Sequence, residues 1–315
     1  MKMTRREFLN VSTAAAVVCA ATLLPVEKAA AAQQTMAAQE LLEQAYLYAF
    51  PLVLMDATRK VSTNTETPNG TRAPINQFIH AEKLADAASR AVVTPNVDTI
   101  YTQAFLDVGS EPMLYGVPQT DRFFNVQVLD AWTNTAAVLE APGLYAITRS
   151  DWQGELPEGV QRINVPTNRV WTIARIVLSG QEDLPNVRAI QDKMQLMPLS
   201  AYQMDSWTAP AGKYDPAYDF VPVQHVLAMS AEDFFTTANH LMEANPPAEA
   251  DAPMLQKLAA LHGVNAVVYI LYLYPLSVKI FAQILCHFFR KRCDEHPFAA
   301  LGAQAYLAEN IVHLS

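Results

Sequence analysis

Residues 122–129 read Arg-Phe-Phe-Asn-Val-Gln-Val-Leu. Phe124, Val126 and Val128 alternate with Asn125 and Gln127. A period of two describes a half-buried strand, with one face on a core and the other face polar. The neighbouring stretches share the habit. Upstream, Thr99–Asp107 is rich in Thr, Ile, Tyr and Phe, residues that suit a pleated surface. Downstream come Leu144–Thr148, Arg162–Val165 and Val170–Leu178, the last two separated by a Pro166-Thr167-Asn168 turn. Five short strands with turn punctuation predict an antiparallel β-rich core.

Outside this block the period becomes helical. Leu41, Leu42, Ala45, Tyr46, Ala49 and Phe50 make an apolar stripe over Gln39–Phe50. Pro51 is expected to break or kink that helix. A second helix is expected over Leu184–Leu196, entered after Asp183. Ser230, with Asp233 three residues on, reads as an N-cap. The helix behind it would bury Phe234, Phe235, Ala238, Leu241 and Met242 and end at Asn245-Pro246-Pro247. Asp251 caps another, with Met254, Leu255, Leu258 and Leu261 inside and Gly263 as the stop. Trp207–Pro222 reads as loop. The predicted fold class is α+β: an antiparallel β-rich core with flanking helices, plus a hydrophobic C-terminal helical tail.

The two ends speak of location. Residues 1–32 combine Arg5-Arg6, an apolar run from Val11 to Leu24, and Ala30-Ala31-Ala32. These are the parts of a twin-arginine export signal with its cleavage site, so the chain is expected in the periplasm. Residues 264–315 form the tail. Its 266–289 stretch carries one formal charge, Lys279, and Arg290-Lys291-Arg292 follow. That pattern fits an anchor in the inner membrane with its basic flank on the cytoplasmic side. Pro275 within the stretch argues against a span, and a buried core helix would read the same way.

Composition excludes several classes. The 315 residues are 51% hydrophobic and 17% charged, too apolar for a disordered chain. A formal charge of −9, with no dense basic stripe, excludes a nucleic-acid footprint. Ten glycines form no phosphate-cradling G-x-G-x-x-G or P-loop. Three cysteines, Cys19, Cys286 and Cys293, make no disulfide scaffold. His80, His225, His240 and His262 lie far apart without metal-ligand spacing, so no metal is expected. No motif names a cofactor.

Longer motifs carry a resemblance. They begin with Ala45-Tyr46-x-Tyr48-x-x-Pro51-Leu52 and Asn76-x-Phe78-x-His80. The most specific block is Val92-Val93-x-Pro95-Asn96-x-Asp98-Thr99-x-Tyr101. Asp130-x-x-x-Asn134, Pro166-Thr167, Trp171, Arg175 and Pro198-Leu199 follow. Together they resemble the domain-of-unknown-function 1254 family over 39–263. The resemblance implies an exported bacterial protein of unsettled function. Many relatives carry a second β-rich domain, domain-of-unknown-function 1214, which is not found here. Beside the anchor and core-helix readings, the tail then also reads as an out-of-frame end of a truncated gene. The segment Thr135–Leu144 is shorter than the family leads one to expect.

The ligand-binding candidates are Asn96, Asp98, Tyr101, Arg122, Asp130, Asn134 and Arg175. Asn and Asp beside Pro95 favour Asx turns, which is the plain structural reading of that block. The functional reading has Asn96, Asp98, Tyr101, Arg122, Asp130 and Arg175 converging in a cleft, with a carboxylate kept ionised by a guanidinium. An inward Arg175 would need a partner, which Asp98 or Asp130 would supply. Tyr101, Phe105, Trp132, Tyr145, Trp152, Trp171 and Trp207 line an apolar pocket or simply pack. The expected function is a cell-envelope protein that binds or processes a small organic ligand. The alternatives are a hydrolase- or lyase-type enzyme and a non-catalytic truncated family member.

Overall fold

A computed structural model of the chain describes residues 40–84, 98–202, 204 and 207–259. Its centre is two facing sheets. The first runs β1 (Ile79–His80), β2 (Thr99–Asp107), β8 (Arg169–Val177), β4 (Phe124–Asp130) and β5 (Thr135–Leu139) across the sheet, each neighbour antiparallel. The second runs β7 (Gln161–Val165), β6 (Gly143–Arg149), β3 (Met113–Val117) and β9 (Gln195–Pro198). Its β6–β7 pair is parallel and the rest antiparallel, so the antiparallel expectation holds with that one exception.

Alternation decides which faces meet. Ile100, Ala104 and Leu106 on β2, Val126 and Val128 on β4, and Val170, Ala174 and Ile176 on β8 are all buried. They pack against Met113 and Tyr115 of β3 and Tyr145 and Ile147 of β6, forming one core. Val187 and Ile190 of α2 (Leu184–Gln191) close it. The odd-numbered residues of β2 and β8 therefore point away from this core.

The helices form a separate layer. They are α1 (residues 40–62), α3 (Pro222–Ala228), α4 (Ala231–Ala244) and α5 (Ala252–Ala259). Phe50, Val53 and Ala57 of α1 pack on Val226 of α3 and on Phe234, Phe235 and Ala238 of α4. The Ser230 hydroxyl accepts the Asp233 N–H (3.1 Å) and donates to its carboxylate (2.6 Å), and Asn245 is the C-cap, as the sequence predicts.

Three expectations are corrected. Helix α1 does not break at Pro51 but continues to residue 62. The carbonyl that Pro51 cannot serve belongs to Leu47, a residue 50% exposed on the solvent side of the helix. Helix α2 stops at Gln191 rather than Leu196. Residues 195–198 leave it to pair with β3, and a tertiary pairing overrides local propensity. Within the expected loop, Pro222 opens α3. The export signal, Leu261, Gly263 and the tail with its 266–289 stretch lie outside the described residues. Among the described residues no helix is long and apolar enough to cross a membrane.

Candidate functional site

The face of the five-stranded sheet turned away from the core carries the polar side chains of three central strands. Register sets them in cross-strand rows. One row is Tyr101–Arg175–Asn125, the next Gln103–Ile173–Gln127, and the third Phe105–Trp171–Leu129. The first two rows are half-buried. In the third, Phe105 and Leu129 are buried, and Phe105 stacks on Trp171 with ring centroids 5.3 Å apart and planes 8° from parallel. The face is thus a polar floor ending in an aromatic wall.

Hydrogen bonds fix the floor. Gln127 donates to the Thr135 hydroxyl (2.8 Å) and accepts from Arg175 Nη2 (3.1 Å). The Trp171 indole donates to Gln103 Oε1 (3.1 Å). The Arg175 guanidinium lies 5.9 Å from the Tyr101 ring centroid, within cation–π range. Asn125 Oδ1, opposite Arg175, is buried and has no hydrogen-bond partner among the described residues. Among the described residues, Gln127 is Arg175's one hydrogen-bond partner. A guanidinium has five N–H groups, and among the described residues one bond is made by it.

The sequence candidates divide between two ends of this sheet. Tyr101 and Arg175 face each other across β2 and β8. Asp98 and Arg122 lie at that same end: Leu178 N–H donates to the Asp98 carbonyl (3.0 Å), and Arg122 donates to the Val177 carbonyl (2.9 Å). The Arg122 guanidinium also grips Asp183 with two bonds of 2.5 and 3.0 Å. Arg122 first, then the Ser179 N–H and Asn186, hold the Asp183 carboxyl far below the usual carboxylate range. This pair pins the short 3-10 turn Gln181–Asp183 to the sheet.

Asp130 and Asn134 do not join them. Asp130 pairs with Val170, at the far end of β4 from Asn125. Its carboxylate accepts the N–H groups of Trp132 (2.8 Å) and Asn134 (2.9 Å) and the Asn134 side-chain amide (3.1 Å). The two residues close the β4–β5 hairpin as an Asx turn. A cleft uniting Asp130 with Arg175 is therefore not formed: strand length separates them, and Gln127 rather than Asp130 is Arg175's partner. Asn96 lies outside the described residues.

Of the aromatic set, Tyr101, Phe105 and Trp171 share the outer face. Tyr145 is in the sandwich core, Trp132 packs on Tyr48 (5.1 Å), and Trp152 lies against Arg162 (5.3 Å). His80 is held 2.9 Å from the Thr102 hydroxyl, and burial pushes its pKa down. Among the described residues no group of three His, Cys, Asp or Glu side chains is placed to hold a metal. Sequence reasoning passed over Gln103, Asn125, Gln127 and Asp183. The alternation that marks Phe124, Val126 and Val128 as core also puts Asn125 and Gln127 on the opposite face, and that was the available signal.

This sheet, its partner sheet and α2 together make up one recognisable unit. Residues 75–198 match the family described as "Protein of unknown function (DUF1254)". The DUF1254 stretch ends at Pro198, the last residue of β9, and contains every strand described here. The resemblance read from the motifs is thereby borne out over that stretch. No curated protein matches the chain. Two solved structures are similar to it. A protein from Vibrio parahaemolyticus (VPA0106) shares 20% identity over 78% of this chain, with a TM-score of 0.42. An uncharacterized protein from Burkholderia cenocepacia shares 11% identity over 64%, with a TM-score of 0.31. This chain spans 65% and 49% of the lengths of those two chains.

Proposed function

We propose that this is an exported cell-envelope protein whose DUF1254 sandwich binds a small organic anion on the outer face of its five-stranded sheet. The observation that carries the reading is Arg175: a half-buried guanidinium beside an aromatic ring, with one hydrogen bond among the described residues. A planar, five-donor group held in this way suits a carboxylate or other planar anion, taken with two parallel bonds. The amides of Gln103, Asn125 and Gln127 supply neutral polar contacts, and Trp171 offers an apolar edge. The export reading rests on residues 1–32, and the tail at 266–289 would add contact with the inner membrane.

One experiment tests both parts. The full chain is expressed in a bacterium with a twin-arginine pathway, isolated from the fractionated envelope, and weighed intact and under native conditions. The expected species begins at Gln33 and carries a small bound mass. Arg175→Met, which keeps the aliphatic stem and removes the donors, should lose that mass while keeping the native fold by circular dichroism. An uncleaved chain in the cytoplasm overturns the export reading. No bound mass in either protein, or an unchanged bound mass in the variant, overturns the binding reading.

A further inference from the structure

On the core side of β2, three polar side chains meet where apolar ones would pack. Thr102 is fully buried, and Gln191, the last residue of α2, is 1% exposed. His80 of β1 is half-buried and sits opposite Thr102 in the register. The three form a chain. His80 Nδ1 lies 2.9 Å from Thr102 Oγ1, and Gln191 Nε2 lies 3.1 Å from the same oxygen. The Gln191 amide also reaches the carbonyls of Tyr101 (3.4 Å) and Ala81 (3.5 Å). It thereby ties the end of α2 to β2 and to the residue after β1.

The two carbonyls set the direction of every bond in the chain. A carbonyl oxygen only accepts, so the nitrogen of the Gln191 amide faces them, and that nitrogen donates to Thr102. The Thr102 hydroxyl has one proton to give, and among the described residues its acceptor is His80 Nδ1. This nitrogen is therefore unprotonated, and the ring carries its proton on Nε2. The surroundings favour the neutral ring. Burial pulls the His80 pKa below the ordinary 6.5, Asp192 opposes it, and Arg188 works with burial. These two are the charged groups that face His80 from α2. On β2, Thr102 lies between buried Ile100 and Ala104. Tyr115 of β3 is reached through the Phe78 ring, whose centroid is 5.2 Å from that of His80 and 5.3 Å from that of Tyr115. Glu82 and Lys83, past the end of β1, are exposed.

A proton taken from water at Nδ1 reverses the chain. The imidazolium N–H donates to Thr102, and the Thr102 hydroxyl loses its acceptor. Gln191 Oε1 is the replacement at hand, buried and with no hydrogen-bond partner among the described residues. To present it the amide must turn over, and its N–H groups then leave the Tyr101 and Ala81 carbonyls. With or without that turn, a buried hydrogen bond is lost. The other end of α2 behaves differently. Arg122 holds the Asp183 carboxyl far below the usual carboxylate range, so that attachment survives mild acid.

We propose that His80, Thr102 and Gln191 form an acid-released latch on the C-terminal end of α2, closed while the His80 imidazole is neutral and opened when it takes up a proton at Nδ1. The latch shares no side chain with the outer face of the sheet, so it works whether or not a ligand binds there.

NMR of the nitrogen-15-labelled full chain tests the latch. Near pH 8 the His80 ring should show a bare Nδ1 and a protonated Nε2. Amide exchange is then followed as the pH is lowered, each rate divided by that of an unstructured peptide at the same pH. Protection of the Ala81, Lys193 and Met194 amides, which donate to the Tyr101, Ile190 and Gln191 carbonyls, should fall about tenfold. The fall should share its midpoint with the His80 ring signals. The Ser179 amide, bonded to Asp183 (3.0 Å), should keep its protection. Thr102→Val removes the hydroxyl, and His80→Phe keeps a ring that cannot protonate; in either variant the protection of those three amides should no longer depend on pH. The wild-type measurements stand even where a variant fails to fold. The proposal is overturned by a proton on His80 Nδ1 near pH 8, by protection that does not change through the His80 titration, by an acid-linked loss that persists in His80→Phe, or by a loss shared equally with the amides of β4 and β8.

Discussion

The carboxylate of Asp130 accepts three hydrogen bonds and is still penalised for its charge. It is 4% exposed. Burial raises its pKa, and the bonds from Asn134 and Trp132 only partly offset this, with Asp251 adding repulsion. Above the ordinary value of 3.8 the folded chain bears a cost that the unfolded chain does not. Below that value both states are protonated and the cost disappears. Stability from this group is therefore present at low pH and lost as pH rises through the folded pKa. Asp130→Asn keeps an oxygen for the two N–H groups and cannot ionise. Measured against the native chain by urea unfolding, the variant should gain relative stability between pH 3 and pH 7. A difference that is flat, or that moves the other way, would show that the charge is welcome. The same residue shows what sequence can reveal at this scale. That Asp130 and Asn134 fit an Asx turn follows from residue type. That Tyr101, Gln103, Trp171 and Arg175 share outward faces follows from alternation. Their meeting in rows does not follow, because register between β2 and β8 is set by pairing across about 70 residues of chain. Asp183 as the partner of Arg122 was hidden for the same reason.

Elements were legible where apolar and polar residues alternate or a β-favouring run is bounded by turns, as in β6; β5, largely exposed, was missed because its two alanines carry no strand signal. β2, β4 and β8 alternate and were found within two residues of their ends. β3 is buried at all five positions, because it lies between β6 and β9 with the core on one side, so it has no period to read. At Gly116 the next strand comes so close that a Cβ would sit 2.9 Å from Gln195 Cβ. Glycine there reports a close approach, which a sequence pattern also renders as a turn signal. β1 has two residues and exists only through pairing with β2. Pro51 misleads in the opposite sense: a breaker by propensity, it lies inside a 23-residue helix, 40–62. The packing of Leu52 and Val53, both under 3% exposed, carries the helix through. Pro51→Ala restores the N–H that Leu47's carbonyl lacks and removes the ring's clash. It should raise the stability of α1 by about 1–3 kcal/mol, seen as a higher thermal midpoint of the full chain. A lower midpoint would mean that the Pro51 ring supplies packing that the alanine methyl does not.

At the scale of the whole molecule, the sandwich and the helical layer are two cores joined at one end. Among the described residues the join runs through the β4–β5 turn and the end of α4. Leu52 of α1 packs with Ala131 and Trp132 of the β4–β5 turn, and Leu241 and Met242 of α4 lean on them. The Trp132 indole donates to the Asn245 carbonyl (3.1 Å) at the end of α4. Asn245 Oδ1 accepts the Arg169 N–H (3.0 Å), and Asn168 N–H reaches the Ala244 carbonyl (3.4 Å). Trp132 is the largest side chain in the join and is 7% exposed. Trp132→Ala removes both the ring and its hydrogen bond, and should cost about 3–5 kcal/mol. Where the cost falls is the sharper test. If the join is what couples the two cores, amide hydrogen exchange should quicken across α1 and α4 well before it does in β2 and β8. Trp132→Phe keeps most of the ring and loses only the N–H···O bond, so its effect should be smaller and follow the same pattern. Uniform acceleration of all elements would instead mean that the helices and the sandwich unfold as one unit, with coupling spread beyond the join.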